Sequence, residues 1–170
     1  MGIRNVLQTK PIGGIAVAAC LLLISGLILA KQYWPQKKAN LSQTYYTDDD
    51  GASWFADSAY LVPPFDHNGK TAVLAAVYSY DNGSKKFCAY EQEYTPKAKK
   101  QLEAALADAQ KNGQPPASVA LYHDRTFMMN GTQVKSPGST KWVSIAGPDA
   151  SSVCAVHSPD DTAVDQCFVY

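Results

Sequence analysis

No aspartate or glutamate occurs before residue 40, and no charge of either sign falls between residues 12 and 30. An uncharged run of that length is what a membrane-spanning helix requires. Also missing are a G-x-S-x-G elbow, a phosphate-binding glycine loop, an H-E-x-x-H pair and a C-x-x-C-H haem motif. The motif-borne forms of serine hydrolysis, nucleotide binding, metalloproteolysis and haem attachment are thereby excluded. Internal repeats and low-complexity blocks are absent, so the chain is neither a solenoid nor a disordered tract. Formal charge is balanced overall, but from Lys37 onward twelve Lys/Arg face fifteen Asp/Glu, a charge of −3. A domain so charged has no electrostatic attraction to phosphate backbones, which excludes nucleic acid as a partner.

What is present divides into two parts. Residues 12–30 read IGGIAVAACLLLISGLILA, with ten Leu, Ile or Val among nineteen residues. A helix of this length covers about 28 Å, close to the ~30 Å hydrocarbon core. Lys31 marks the exit, Tyr33 and Trp34 stand where an interfacial belt belongs, and Pro35 discourages continuation. The expected organisation is a short cytoplasmic N-terminus (1–11), a transmembrane helix (12–30), a tether (31–42) and an extracytoplasmic domain (43–170). Its partner is the lipid bilayer. The orientation rests on the ready translocation of long domains, because Arg4 and Lys10 are offset by Lys31, Lys37 and Lys38. A cleaved signal peptide fits less well, since Ile28-Leu29-Ala30 is a poor cleavage site. Val17-Ala18-Ala19-Cys20 has lipobox character, but apolar residues continue to Ala30. A prepilin leader would need an acidic residue that IAVAAC lacks. Gly14 and Ala18 make one small-xxx-small pair, too common to argue for a dimer.

The remaining ~130 residues suffice for one core. Tyr45-Tyr46-Thr47 and Ser53-Trp54-Phe55 flank Asp48-Asp49-Asp50-Gly51, which predicts a hairpin turning on Asp-Gly. Pro63-Pro64 through Asn68-Gly69 reads as a loop. Strands are expected over residues 71–80, with Val73, Ala75 and Val77 on one face, and 86–94, joined by Asp81-Asn82-Gly83-Ser84. Thr95 as N-cap, Pro96 at the first helical position and Gly113 past the end bound a helix. It buries Ala98, Leu102, Ala105, Leu106 and Ala109, and its Lys97-Ala98-Lys99-Lys100 run is expected to be solvated. Residues 118–123, 126–129 and 141–145 read as short strands. Residues 149–156 are open between helix and strand, and 167–170 close an edge or fray. The fold expected is α+β: a small antiparallel sheet with one main packed helix.

Four groups of residues carry chemical interest. Thr47-Asp48-Asp49-Asp50-Gly51-Ala52-Ser53-Trp54 resembles the Asp-box of sialidases and related β-propellers. Asp49, Gly51, Ser53 and Trp54 then have a structural role in the hairpin, and a single copy implies no sialidase activity. As a calcium loop, Asp48, Asp50, Gly51 and Asp57 would fall at positions three, five, six and twelve, but Tyr46 would occupy the first ligand position. Among the cysteines, Cys154 and Cys167 form the expected disulfide if the compartment is oxidising, leaving Cys88. Cys154 and His157 have the spacing of only half a metal site. His67, His123 and His157 each have a nearby aspartate, and Asp66-His67 is the candidate centre if the domain is a hydrolase. No catalytic, cofactor-binding or metal-ligating residue is assigned on these patterns.

TDDDGASWFADSAYLVPPFDHNGK, AYEQEYTPKAKKQLEAA and SPGSTKWVSI, following the basic leader and apolar span, together resemble an uncharacterised family of planctomycete-type bacterial proteins. These are single-pass membrane proteins with a small extracytoplasmic domain. The resemblance implies that architecture and brings no activity. The function expected is a membrane-anchored interaction or scaffold module of the cell envelope with an unidentified protein partner, contacting it through Tyr60, Tyr78 and Tyr90. The alternatives are an envelope hydrolase and a calcium-dependent binding module.

Overall fold

The computed structural model describes Ile24, Ser25, Leu29 and residues 39–158, 160 and 162–169. The chain divides into two units, residues 1–38 and 39–170. The expected N-terminus, span and tether fall almost wholly outside the described residues. Among those described, no helix is long and apolar enough to cross a membrane.

The second unit is an α+β fold built on an antiparallel sheet. Strand β1 (Gln43–Thr47) pairs with β2 (Phe55–Ser58) in the expected hairpin, with Tyr46 opposite Phe55. Asp50 and Gly51 both have positive φ, 62° and 77°, the backbone that an Asp-Gly turn adopts readily. Strand β3 (Phe65–His67) runs back along β4 (Lys70–Tyr80), placing Phe65 opposite Ala72. The expected loop over 63–69 is therefore corrected in part. Asn68 and Gly69 (φ 56° and 83°) form a two-residue turn that keeps the flanking residues in pairing register.

Strand β5 (Lys85–Tyr94) pairs with β4 through the expected turn, and a bulge falls where Ala76 meets Tyr90 but Val77 meets Cys88. Helix α1 (Pro96–Lys111) begins as expected, with the Ala98 amide donating to the Thr95 hydroxyl. Its buried residues Ala98, Leu102, Leu106 and Ala109 pack with Val62, Tyr94 and Val119.

Beyond α1 the expected strands at 118–123 and 126–129 are corrected. The first stretch forms two 3-10 turns, Pro116–Ser118 and Ala120–His123, and the second is helix α2 (Arg125–Gly131). The Asp124 carboxylate caps α2 by accepting from the Phe127 amide at 3.0 Å. That cap outweighs the strand preference of Thr126 and Phe127. Strand β6 (Thr132–Lys135) joins β5, and β7 (Val143–Ser144) is shorter than the 141–145 expected. Helix α3 (Ala150–Val153) resolves the ambiguity over 149–156. Strand β8 (Asp165–Gln166) pairs with β4, so the end of the chain closes onto the sheet. The strand order is β2-β1-β4-β5-β6-β7, with β3 and β8 also on β4.

Side chains alternate between the two faces of a strand. Tyr46, Leu74, Gln92, Tyr94 and Val134 follow from the register as one set, and Tyr94 packs in the α1 cluster. Thr47, Val73, Ala75, Glu91 and Lys135 form the other set, with Cys88 opposite Val77 further along. On this second face Ala75, Val77 and Cys88 are packed by Tyr45, Trp54 and Cys167.

Candidate functional site

The β1–β2 turn is organised by its own side chains. Asp49 accepts from the Ser53 amide at 2.9 Å, the Ser53 hydroxyl at 2.5 Å and the Thr47 hydroxyl at 2.9 Å. These bonds, those from Ser53 foremost, hold its carboxyl below the ordinary value. The Thr47 hydroxyl in turn accepts from the Gly51 amide at 3.0 Å. A side chain at Gly51 would be crowded. A Cβ there would come within 3.1 Å of Pro137 and 3.3 Å of the Cys88 side chain. Trp54 packs down on Ala75, Val77 and Cys88.

Asp50 reaches away from this internal network. It accepts from the Lys135 ammonium and from the Gly138 amide at 2.7 Å, tying the turn to the β6–β7 loop. Lys135 also meets Glu91 on the neighbouring strand, Nζ to Oε2 at 3.1 Å. Glu91 is 1 % exposed, and its second oxygen, Oε1, has no hydrogen-bond partner among the described residues. Burial pushes the Glu91 carboxyl above its ordinary value, against the pull of Lys135. Asp50 is held below its ordinary value, mainly by the Lys135 hydrogen bond. Burial alone would lower Lys135, but its bonds to Asp50 and Glu91 outweigh that and leave it raised. Two adjacent carboxyls are thus pushed in opposite directions by their surroundings.

These groups line a polar cleft of about 210 Å³ together with Asp48, Glu93 and Trp142. Glu93 is likewise raised by burial. Sequence reasoning missed Glu91, Glu93, Lys135 and Trp142. The Glu-x-Glu alternation in AYEQEY was the available signal, because two acids at period two on a strand share one face.

Asp48, the third aspartate of the turn, pairs with His67, Oδ2 to Nδ1 at 2.8 Å, and the imidazole stacks on Phe55 at 4.0 Å. The Asp66-His67 centre is corrected accordingly. Asp66 is exposed on the opposite side of β3, and its carboxylate accepts from the Gly69 amide. Each aspartate of the run therefore has a different partner, so they do not converge as a calcium loop does. Asp57, at the loop's expected twelfth position, accepts from the Ser58 amide. Among the described residues no group of three or more His, Cys, Asp or Glu is placed to hold a metal ion.

Cys88, Cys154 and Cys167 are free thiols, so the expected Cys154–Cys167 disulfide is not formed in this structure. Cys167 is held against β4 by the hydrogen bond its backbone amide donates to the Val77 carbonyl, while the Cys154 amide closes α3 by donating to the Ala150 carbonyl. Burial raises the Cys88 thiol to about 12, which makes it an inert packing group. The three expected tyrosine contacts are half-buried: Tyr60 donates to the Gln114 carbonyl, and burial raises Tyr90 to about 12. Lys99 departs from the solvated run expected of it and donates to the carbonyls of Val62 and Pro64. His123 and His157 are exposed.

The helix-bearing face carries a different depression, an apolar groove of about 340 Å³. Tyr46, Leu61, Leu74 and Tyr94 line it, with Leu41 and Phe168 at 64 % and 50 % exposure. The Tyr46 hydroxyl donates to the carbonyls of Ser58 and Leu61, so its ring presents an apolar wall. Comparison with protein-family models, curated proteins and solved structures finds no match for the chain.

Proposed function

We propose that this chain is a membrane-anchored interaction module of the cell envelope. Its apolar stretch, residues 12–30, rests in the bilayer, and the body following it stands on the extracytoplasmic side, where its apolar groove receives an apolar segment of a protein partner. The anchor is supported by length, lack of charge and the flanking Lys31, Tyr33 and Trp34. The observation that carries the binding role is the groove itself: about 340 Å³, with Leu41 and Phe168 more than 45 % exposed beside it. Large apolar side chains grouped around a concave surface are favoured at contact sites, because covering them removes area from water.

The test is photocrosslinking in intact cells from a reactive analogue placed at Leu41 or Phe168. A protein adduct of discrete mass is expected from both positions, lost when Ala59→Trp fills the groove. No protein adduct, or one unchanged by Ala59→Trp, would remove this reading.

A second reading, an envelope hydrolase, is favoured by one observation. Asp48 lines the polar cleft and at the same time orients His67 through Nδ1, so that Nε2, 3.3 Å from the Asn68 side-chain nitrogen, is the nitrogen that a substrate water would have to reach. Ester hydrolysis by the full chain that vanishes in both His67→Ala and Asp48→Asn would support it. Equal turnover in the variants would dismiss it.

A further inference from the structure

The cleft on the turn-covered face holds an electrostatic imbalance. Asp50, Glu91 and Glu93 face one fixed ammonium, that of Lys135. Lys135 directs hydrogen-bond donors to Asp50 and to Oε2 of Glu91, and its Nζ also stands 5.5 Å from the centre of the Trp142 ring. Oε1 of Glu91 remains, buried and unpaired among the described residues. The Glu93 side chain accepts no hydrogen bond from a described residue, and Lys135 is the charged group acting on it. A clamp with only a structural role would satisfy both oxygens of its most buried acid, since a buried acceptor left without a donor is destabilising.

We propose that this cleft binds a primary alkylammonium group, the chemistry offered by a lysine side chain or a free aliphatic amine. One –NH3⁺ supplies three donors and a single compact charge. Glu91 and Glu93 lie two residues apart on one strand face, about 7 Å between Cα atoms. A single ammonium entering between them would bond the Glu93 carboxylate and supply the donor that the covered Oε1 of Glu91 lacks. The indole of Trp142 forms an apolar wall for the alkyl stem. A neutral donor would fill the same hydrogen bond but leave the charge excess. A bare metal ion lacks the converging ligands it needs among the described residues. This site lies on the opposite face of the sheet from the apolar groove, so its failure leaves the groove reading intact.

The full chain, in lipid nanodiscs, is labelled with ¹³C at the glutamate side-chain carboxyl. Its three glutamates give an internal control, because Glu103 pairs with Lys99 on α1, away from the cleft. Titration with n-butylammonium is expected to move the Glu91 and Glu93 signals saturably and to leave Glu103 in place. Neither n-butanol nor sodium chloride at matched ionic strength reproduces the movement. Glu93→Gln, which spares the Lys135 clamp, weakens binding about tenfold. Two further ligands separate the sources: tighter binding of Nα-acetyl-lysine-N-methylamide assigns a protein partner, and tighter binding of 1,4-diaminobutane a free amine. Either order retains the site. No movement, equal movement of all three signals, reproduction by sodium chloride, or undiminished binding in Glu93→Gln overturns it.

Discussion

The two faces of the sheet are stabilised by different physics. On the helix face Leu102 and Leu106, 0 % and 1 % exposed, pack with Tyr94 and Val62, and the interactions are apolar and local to one well-capped helix. On the turn face Glu91 and Lys135 lie side by side across neighbouring strands, and Asp50 reaches Lys135 from 85 residues away in sequence. Burial of apolar surface is favourable wherever it occurs. A buried ion pair, by contrast, returns its desolvation cost only when its geometry is complete. The helix face should therefore lose stability in proportion to volume removed. The turn face should respond to whether charges remain matched.

That contrast can be broken most severely at Leu102. Leu102→Ala should cost about 2–5 kcal/mol in urea unfolding, because nothing exposed can relax into the space. Next is Lys135→Met, expected to cost about 3 kcal/mol by leaving Glu91 charged and alone. The decisive companion is the double variant Glu91→Met with Lys135→Met. It should recover most of the loss, whereas no second truncation rescues Leu102→Ala. A double variant no better than Lys135→Met would mean that the ion pair itself, and not charge matching, stabilises this face. Gly51→Ala comes third, at about 1–2 kcal/mol for a left-handed backbone, with crowding against Pro137 adding to it.

The smallest effect is one of pH, and it sharpens the comparison because the helix face has no part in it. A carboxyl raised on folding stabilises fully below its ordinary value, 4.5 for Glu91, and loses that contribution as pH rises through the raised value. Asp50, lowered on folding, contributes fully above 3.8 and loses its contribution as pH falls through its depressed value. Between pH 4.5 and neutrality the wild type should therefore lose stability more steeply than Glu91→Gln. Parallel slopes in urea titrations would show that burial does not perturb Glu91.

The same division governs what could be read in advance. Helix α1 was legible because Thr95, Pro96 and Gly113 signal its ends within the segment itself, and the Asp-Gly and Asn-Gly turns carry their own backbone preference. Helix α2 was missed although its cap, Asp124, stood in plain sight, because Thr126 and Phe127 favour strands and seven residues give little periodicity to oppose them. Strand β6 was hidden because Thr132-Gln133-Val134-Lys135 is too short to show alternation and owes its place to β5. The candidate cleft was the least legible part. Its charges come from a turn, a strand and a second strand, and no local rule brings Asp50 to Lys135.

At the close of the fold, the Asn40 amide donates to the Val169 carbonyl at 2.6 Å, beside the pairing of β8 with β4. Asn40 and Val169 are therefore neighbours, so a linker of a few residues should join them without strain. New ends opened at Asn82-Gly83, in the exposed turn between β4 and β5, would then yield a circular permutant with every strand pairing retained.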